Sequence, residues 1–447
     1  MNNTSGFFPN QDNGVVAIFT LAEYPGGYAG PQQQAIAYSH DGGYSFIMYE
    51  GNPVIPSNSS EFRDPKVIRY KDHWVMVVAY SQEFTIGFFT SPNLKNWMHA
   101  SNLSYIGLLG LQYECPDLVE MPVLGTDTTM YVLQIGINPG APLGGSISQN
   151  FPGHFNGTHF TPVDGATRIN DFGKDNYAGQ FFYGIPSGQD AISIGWSSNW
   201  QYAETVPTGP LESWRSSMSL PRRNYLTNNP LIGWNMVSYP YDLSSVLGPK
   251  IASNSSLNNG TLFVDYSAEY SNALYFEANV TGINITTVVS GSATFNFTFY
   301  SPISQEYLSG GFFFGGFNNF FIDRGGIRGF DDVLFTDKFT TEHLINENGT
   351  WSVTGVIDRS IFEVFIEGGQ RSATTTFFPT QPLTKLIITT ADLLPSMSVS
   401  VAVYSIESAW LQYENEQGMV FGNTTSVNST AGKRHMVYDA GYGAVDY

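Results

Sequence analysis

The chain reads as short apolar runs separated by turn-forming clusters, the pattern of many strands rather than of long helices. Residues 15–20 make the first apolar strand. Residues 34–39 lead into His40-Asp41-Gly42-Gly43, and residues 44–49 return from it. Asp-Gly between aromatic-flanked strands is a strong hairpin signal, because glycine accepts the positive φ that tight hairpin turns require. Residues 67–70 and 74–80 pair similarly around Lys71-Asp72-His73. A weak repeat underlies these hairpins. Tyr38-Ser39-His40-Asp41-Gly42-Gly43-Tyr44 is similar to Thr90-Ser91-Pro92-Asn93-Leu94-Lys95-Asn96-Trp97: a strand end, a serine, an Asx turn, then an aromatic. The two serines are 52 positions apart, about one four-stranded propeller blade. Phe155-Asn156-Gly157-Thr158-His159-Phe160 is a third, looser copy. The repeat alone leaves a propeller and an ordinary sandwich both open.

Around residues 244–260 the chain turns polar and rich in Asn and Ser, which marks a linker over 246–260. Strands resume at 261–266, 274–280, 293–299, 311–314, 353–357, 361–366, 386–389 and 399–404, with Asp358-Arg359-Ser360 as a tight turn. This second block reads as a β-sandwich of ordinary size. Residues 411–447 are polar, Gly-rich and without periodicity, so they read as a disordered tail. The resulting division is 1–245, a linker 246–260, a sandwich 261–410 and the tail, all of it an all-β protein. A chain of 447 residues is long enough to bury two cores.

Composition agrees: 15% aromatic, 13% charged, 46 Gly and 24 Pro suit strands and turns. The formal net charge of −19 repels phosphate backbones and anionic bilayers, so neither nucleic acid nor membrane is expected as a partner. No apolar run approaches the roughly 18 residues of a membrane span. Seven histidines show no metal-ligand spacing, and His154 and His159 are assigned to a turn; no metal or cofactor is expected. The single cysteine, Cys115, excludes an intrachain disulfide, which fits the cytosol. Against that stand thirteen Asn-x-Ser/Thr acceptors, at Asn2, Asn3, Asn58, Asn102, Asn156, Asn254, Asn259, Asn279, Asn284, Asn296, Asn348, Asn423 and Asn428. That density favours a secreted or cell-wall glycoprotein. Met1-Asn2-Asn3-Thr4 lacks the basic and apolar regions of a signal peptide, so the expectation is that an N-terminal part is missing.

Two acidic strand-end segments carry the candidate chemistry: Phe62-Arg63-Asp64-Pro65-Lys66 and Tyr113-Glu114-Cys115-Pro116-Asp117. Asp64 and Glu114 are 50 residues apart, about one blade, so successive inner strands can aim both at one funnel. Paired carboxylates are what glycoside hydrolysis uses, one to protonate the leaving oxygen and one to stabilise or attack the anomeric carbon. Arg63 beside Asp64 would keep that aspartate ionised, and aromatic neighbours would raise the pKa of Glu114. On spacing alone, the simpler reading that each acid caps a turn stands.

Arg-Asp-Pro followed some 50 residues later by Glu-Cys-Pro resembles the signature pair of glycoside hydrolase family 32. Further segments are similar to the yeast invertase branch of that family. They include Asn3-Thr4-Ser5-Gly6-Phe7-Phe8, Asp41-Gly42-Gly43-Tyr44, Ile137-Asn138-Pro139-Gly140-Ala141-Pro142 and the 155–160 segment. Asp171-Phe172-Gly173-Lys174-Asp175-Asn176-Tyr177-Ala178, Ser198-Asn199-Trp200 and Trp214-Arg215-Ser216-Ser217-Met218-Ser219-Leu220 follow. Phe321-Ile322-Asp323-Arg324-Gly325 and Asp358-Arg359-Ser360-Ile361-Phe362-Glu363 resemble its C-terminal module, and the likeness covers roughly residues 2–410.

The resemblance implies a five-bladed β-propeller, here with its first blade largely missing, followed by a β-sandwich. It implies a retaining double displacement on β-fructofuranosides such as sucrose. Carried over by position, Glu114 is the general acid/base and Asp64 the transition-state stabiliser. Arg63 orients Asp64 and reaches the sugar, Trp200 offers it a ring face, and Asp175 and Tyr177 stand at the pocket rim. Cys115 is a small neighbour of Glu114 rather than a nucleophile, since no histidine lies nearby to activate it. The family's nucleophile lies in a Trp-Met-Asn-Asp-Pro-Asn-Gly segment, whereas Asp64-Pro65 is the sole Asp-Pro in these 447 residues. The expectation is therefore that the chain as written lacks the nucleophile and is inactive. A non-catalytic fructoside-binding relic, and an inulinase or fructosyltransferase on the same scaffold, are the alternatives. An exposed sandwich edge allows a homodimer or higher oligomer.

Overall fold

The computed structural model describes residues 4–9, 11–284, 290–315, 318–343, 345 and 347–408. The expected tail at 411–447 and the acceptors Asn2, Asn3, Asn423 and Asn428 lie outside these residues. The chain forms two compact units, Met1–Gln201 with Met218–Tyr241, and Tyr202–Ser217 with Asp242–Tyr447.

In the first unit, four antiparallel sheets follow one another along the sequence, each an up-and-down meander as in a propeller. The first holds Val15–Ala22, Gln32–Ser39 and Ile47–Met48; the second Phe62–Tyr70, His73–Tyr80, Thr85–Ser91 and Met98–Ser104. The third is led by Tyr113–Pro122, Thr129–Ile137 and Ile147–Phe155, and the fourth by Tyr177–Phe181, Ala191–Ser197, Arg222–Asn229 and Gly233–Pro240. Apolar faces join each sheet to the next. Ile55, Phe62, Met76, Val78 and Phe89 pack between the first two sheets with Ile18. Val77, Phe88, Leu118, Leu133 and Phe151 join the second to the third. Met121, Val132, Phe181 and Leu226 join the third to the fourth.

The repeat seen in the sequence has a physical basis. Buried Ser39 Oγ accepts the Gly43 N–H at 2.8 Å, and buried Ser91 Oγ accepts the Leu94 N–H at 2.9 Å. Asp41 and Asn93 then accept backbone N–H groups from Ser45 and Asn96, as Asx turns do. Asn156 does the same for Thr158 and His159. Only His159 sits in that turn; His154 is on the strand Ile147–Phe155, opposite Thr161.

The second unit is a sandwich of two six-stranded antiparallel sheets. One runs Leu247–Asn254, Ser398–Ile406, Ala273–Thr281, Trp351–Asp358, Ile361–Ile366, Arg371–Thr376. The other runs Thr261–Asp265, Lys385–Ala391, Thr294–Tyr300, Tyr307–Phe313, Asn319–Gly326, Lys338–Glu342. Rings fill the space between them: Phe276 lies 5.2 Å from Phe297, and Phe312 stacks on Trp351 at 4.7 Å. The expected linker is therefore corrected, since Leu247–Asn254 is a paired strand. Its Asn and Ser side chains look polar, but the backbone still completes a sheet edge. The first block is corrected as well: residues 202–217 pack in the second unit, where Tyr202 and Val206 join Phe335 and Phe378.

Candidate active site

The site is made by one backbone device used three times. The leading strands of the second, third and fourth sheets lose register between Arg63 and Lys66, Glu114 and Asp117, and Tyr177 and Gln180. At each break a non-glycine residue takes a positive φ: Asp64 at 64°, Cys115 at 49° and Ala178 at 49°. Such residues cost about 1–3 kcal/mol each and persist where the surroundings enforce them. Pro65 and Pro116 follow the first two; with no N–H to give, proline belongs at a break in a ladder. A bulge re-aims the side chains beside it. Arg63, Glu114 and Tyr177 thus occupy equivalent positions, as do Asp64, Cys115 and Ala178, and then Lys66, Asp117 and Gln180.

The first set converges. Glu114 Oε1 accepts from Arg63 Nη2 at 3.1 Å and from Gln112 Nε2 at 3.0 Å, and Oε2 accepts from the Tyr177 hydroxyl at 2.5 Å. Gly136 lies opposite Glu114 in the ladder, and a Cβ there would come within 3.0 Å of the Tyr177 ring, so glycine makes the room. Asp64 is held from both sides. Its Oδ2 accepts the Cys115 N–H at 2.9 Å, and its own N–H donates to Thr20 Oγ1 at 3.0 Å. Thr20 donates in turn to Gln34, whose amide donates to the Phe62 carbonyl at 2.8 Å. The structure therefore brings Arg63, Asp64, Glu114 and Tyr177 together across three sheets.

Charge follows geometry. Burial opposes the Arg63 charge, but hydrogen bonds to Glu61 and Glu114 outweigh it and hold the guanidinium pKa above its ordinary value. Its contacts add to the expected pairing: Arg63 lies 4.0 Å from Asp64, but closer to Glu114 at 3.1 Å and to Glu61 at 2.6 Å. Burial, with Asp64 and Glu114 beside it, pushes the Cys115 thiol far up, so it stays protonated and unreactive as a nucleophile. Burial likewise raises the Tyr177 phenol well above its usual range, which keeps it a donor to Glu114.

Two rim assignments change. Tyr177 is buried and supports Glu114 directly. Asp175 is fully buried in a segment folded inward, where Asp171 pairs with Arg222 at 3.0 Å and the Lys174 carbonyl accepts from Asn199. Trp200 is 48% exposed and reaches the acid only through another ring. It lies 5.0 Å from Trp196, which lies 6.4 Å from Tyr177, so three rings run from the half-buried acid to solvent. Trp196, Gln112, Glu61 and Thr20 escaped the sequence reading. Trp196 precedes Trp200 by four residues and Gln112 precedes Glu114 by two, spacings with meaning only once the strand and its bulge are known.

Comparison with known proteins decides the family. Residues 3–235 match the glycosyl hydrolases family 32 N-terminal domain, and residues 253–403 match the family 32 C-terminal domain. The chain belongs to glycoside hydrolase family 32. It is 38% identical to an invertase of Wickerhamomyces anomalus, over 84% of this chain and 74% of that protein. It is 39% identical to an extracellular exo-inulinase of Meyerozyma guilliermondii, over 84% and 73%. A β-fructofuranosidase of Schwanniomyces occidentalis, solved with fructosyl-erythritol, superposes with a TM-score of 0.81 at 35% identity, covering 91% of this chain and 81% of that one. The family's propeller and sandwich correspond to the two units, and the protein is a glycosyl hydrolase of the β-fructofuranosidase type.

Proposed function

We propose that the site holds the fructosyl unit of a β-fructofuranoside such as sucrose and cleaves its glycosidic bond with retention. The observation that carries this reading is Glu114 gripped through both oxygens by Arg63, Gln112 and Tyr177, with Asp64 presented beside it by the equivalent bulge of the preceding sheet. Glu114 gives a proton to the glycosidic oxygen as that bond breaks, then takes one from the water that releases fructose. Asp64 accepts hydrogen bonds from fructose hydroxyls, and these strengthen as positive charge develops on the ring. Arg63 orients the acid and reaches the sugar, and the Trp196–Trp200 rings offer an apolar face to it.

Retention also needs a carboxylate on the opposite face of the anomeric carbon, about 5–5.5 Å from the acid. Asp64 is tied to the Cys115 amide and to Thr20 through its own amide, which suits binding better than attack. No Asn-Asp-Pro-Asn-Gly segment occurs in the 447 residues, so these residues by themselves should release no glucose from sucrose. The test is to purify residues 1–447 beside the same residues joined to a segment supplying that aspartate, and to assay glucose and fructose. Equal turnover by both forms would remove the assignment and name another carboxylate as nucleophile. Inulin, assayed alongside, separates the invertase reading from the exo-inulinase reading, which a 39% identical relative keeps in view. The acceptor density and the extracellular relative support a secreted glycoprotein, and an exposed sandwich edge supports a dimer.

A further inference from the structure

Directly after the three bulges lies a second set of equivalent residues, Lys66, Asp117 and Gln180, which the reaction does not use. Lys66 Nζ lies 3.0 Å from Asp117 Oδ2. The same Asp117 oxygen accepts the Phe181 N–H at 2.7 Å, and Lys66 Nζ donates to the Phe181 carbonyl. The Asp117 side chain is completely buried and that of Lys66 is 15% exposed. One carboxylate, one ammonium and the backbone N–H and carbonyl of Phe181 therefore join the leading strands of three sheets in a closed loop.

The position of this loop matters because the second, third and fourth sheets have separate ladders. Backbone hydrogen bonds fix register inside a sheet; between sheets, apart from contacts such as the Leu124 N–H on the Leu226 carbonyl at 2.8 Å, the joining is mostly by side chains, and apolar packing tolerates sliding. Lys66, Asp117 and Phe181 also border an open pocket of about 280 Å³, so solvent-facing space rather than a packed neighbour lies on one side. Directional bonds to a buried charge lack that tolerance. We propose that the Lys66–Asp117 pair, closed through the Phe181 backbone, is a positioning lock that sets the relative height of the three strands and so holds Glu114 against Arg63 and Tyr177. Its bearing on catalysis rests on Glu114 being the acid/base; the lock itself rests on geometry alone.

A buried pair of this kind is a poor source of stability, because apolar residues of similar volume often replace one without loss. What it supplies is a unique register. The two roles separate in Lys66→Met combined with Asp117→Leu, which fills the space without directional bonds. Cys115 is the sole cysteine and lies between Glu114 and Pro116, so its reaction with a small aromatic disulfide reports on the site without any turnover. The double variant should keep its heat transition near that of the parent, while Cys115 labels about tenfold faster through local opening. Asp117→Asn, which keeps an acceptor for Phe181 but loses the charge, should fall between. Val353→Ala in the sandwich core is the control and should leave labelling at the parental rate. Parental labelling in either folded lock variant overturns the proposal, as does equal acceleration in the control. Failure of both lock variants to fold overturns it too, because the pair would then be a stability element. A wrong assignment of Glu114 would leave the labelling result unchanged, so the two ideas fail separately.

Discussion

The blade unit and the sandwich unit are both antiparallel β-structure, yet the leading strands of three blades and the central strands of the sandwich treat the ladder in opposite ways. In the blades, three leading strands break register and place Arg63, Glu114 and Tyr177 at the breaks. In the sandwich, the central strands Ala273–Thr281, Trp351–Asp358 and Thr294–Tyr300 pair without interruption. The sandwich core is rich in rings, with Phe276, Phe295, Phe297, Phe299, Phe312, Phe320, Trp351 and Phe362 all buried. Where the sandwich does bury a charge, apolar rings and backbone surround it: Arg324 lies 3.4 Å from the Phe335 ring centre and donates to the Thr336 and Thr376 carbonyls. Continuous ladders and rings give stability. Interrupted ladders give side chains a common target, and they concentrate strain and buried charge where chemistry is wanted. Function and stability are thus written into different units, and single substitutions should separate them.

The largest effect should come from Glu114→Gln, in the form supplied with an upstream aspartate segment. Glutamine keeps the shape and can still accept from Tyr177, but it has no proton to give. Sucrose turnover should fall by about 10²–10⁴, the usual contribution of a positioned acid/base. Substrates with good leaving groups should be spared in the first step, because they need no protonation. The heat transition should stay where it is. Near-normal sucrose turnover would end the assignment of Glu114 and, with it, the view that the bulges exist for chemistry.

The mirror experiment is Phe297→Ala. Phe297 is fully buried and lies 5.2 Å from Phe276 and 5.5 Å from Phe362. Truncation should cost about 3–5 kcal/mol through lost burial and a residual cavity. Calorimetry should show the loss, while fructose affinity per folded molecule stays parental. A weakened affinity at unchanged folding would mean that the two units do not divide the work as argued.

The same contrast explains what the sequence disclosed. Strands that are short apolar runs, such as Ile361–Ile366, were legible from pattern alone. Arg371–Thr376 was not, because its inward residues are Ser and Thr whose burial hydropathy conceals. Leu247–Asn254 read as a linker because edge strands need backbone more than apolar side chains. In the site, the spacing of Asp64 and Glu114 was visible, and their convergence depended on bulges. Tyr177-Ala178-Gly179-Gln180 shares no residue with Arg63-Asp64-Pro65-Lys66, so only the folded backbone reveals the equivalence. Arg63 keeps a 4.0 Å ion pair with Asp64 but lies closer to Glu61 and Glu114, which adjacency in sequence did not suggest.

A smaller effect separates the units by pH. His343, in the sandwich, is buried, and its pKa falls from 6.5 to about 4, mainly through burial and secondarily through Arg371. The folded pKa is lowered, so below pH 6.5 the unfolded chain takes up a proton that the folded chain refuses. Stability should therefore be full above 6.5 and drain away as pH falls towards 4, by up to roughly 3 kcal/mol at 1.36 kcal/mol per unit. Calorimetry between pH 7 and 4.5 should show this loss for the parent and a flatter profile for His343→Gln. Identical slopes would mean that His343 is protonated in the folded sandwich.

The smallest effect concerns sugar attachment, where the two units offer contrasting acceptors. In the blades, Asn156 is exposed, and its Oδ1 accepts from the Thr158 N–H, the Thr158 hydroxyl and the His159 N–H. Those bonds use only the oxygen and leave the amide nitrogen, the atom that takes the sugar, outside them. In the sandwich, Asn259 has a left-handed φ of 39° and uses both ends of its amide on one residue. Its Oδ1 accepts the Leu393 N–H at 2.7 Å and its Nδ2 donates to the Leu393 carbonyl at 3.2 Å. A sugar on Nδ2 must displace the Leu393 carbonyl, at about 1 kcal/mol for the lost bond and more if the oxygen is left without a partner. Folded protein secreted from yeast should therefore carry a glycan at Asn156 and none at Asn259, although both lie in Asn-Gly-Thr triplets. Peptide mapping after release of N-glycans in heavy-oxygen water distinguishes the two, because only a formerly occupied asparagine becomes a labelled aspartate. Asn156→Gln should remove one glycan and move stability by less than about 0.5 kcal/mol, as surface changes do. Asn259→Gln should remove none and cost about 1–2 kcal/mol, since the longer side chain cannot hold the Leu393 peptide from the same backbone position. Label at Asn259 would show that its amide is free when the sugar is added and that the Leu393 contact is dispensable.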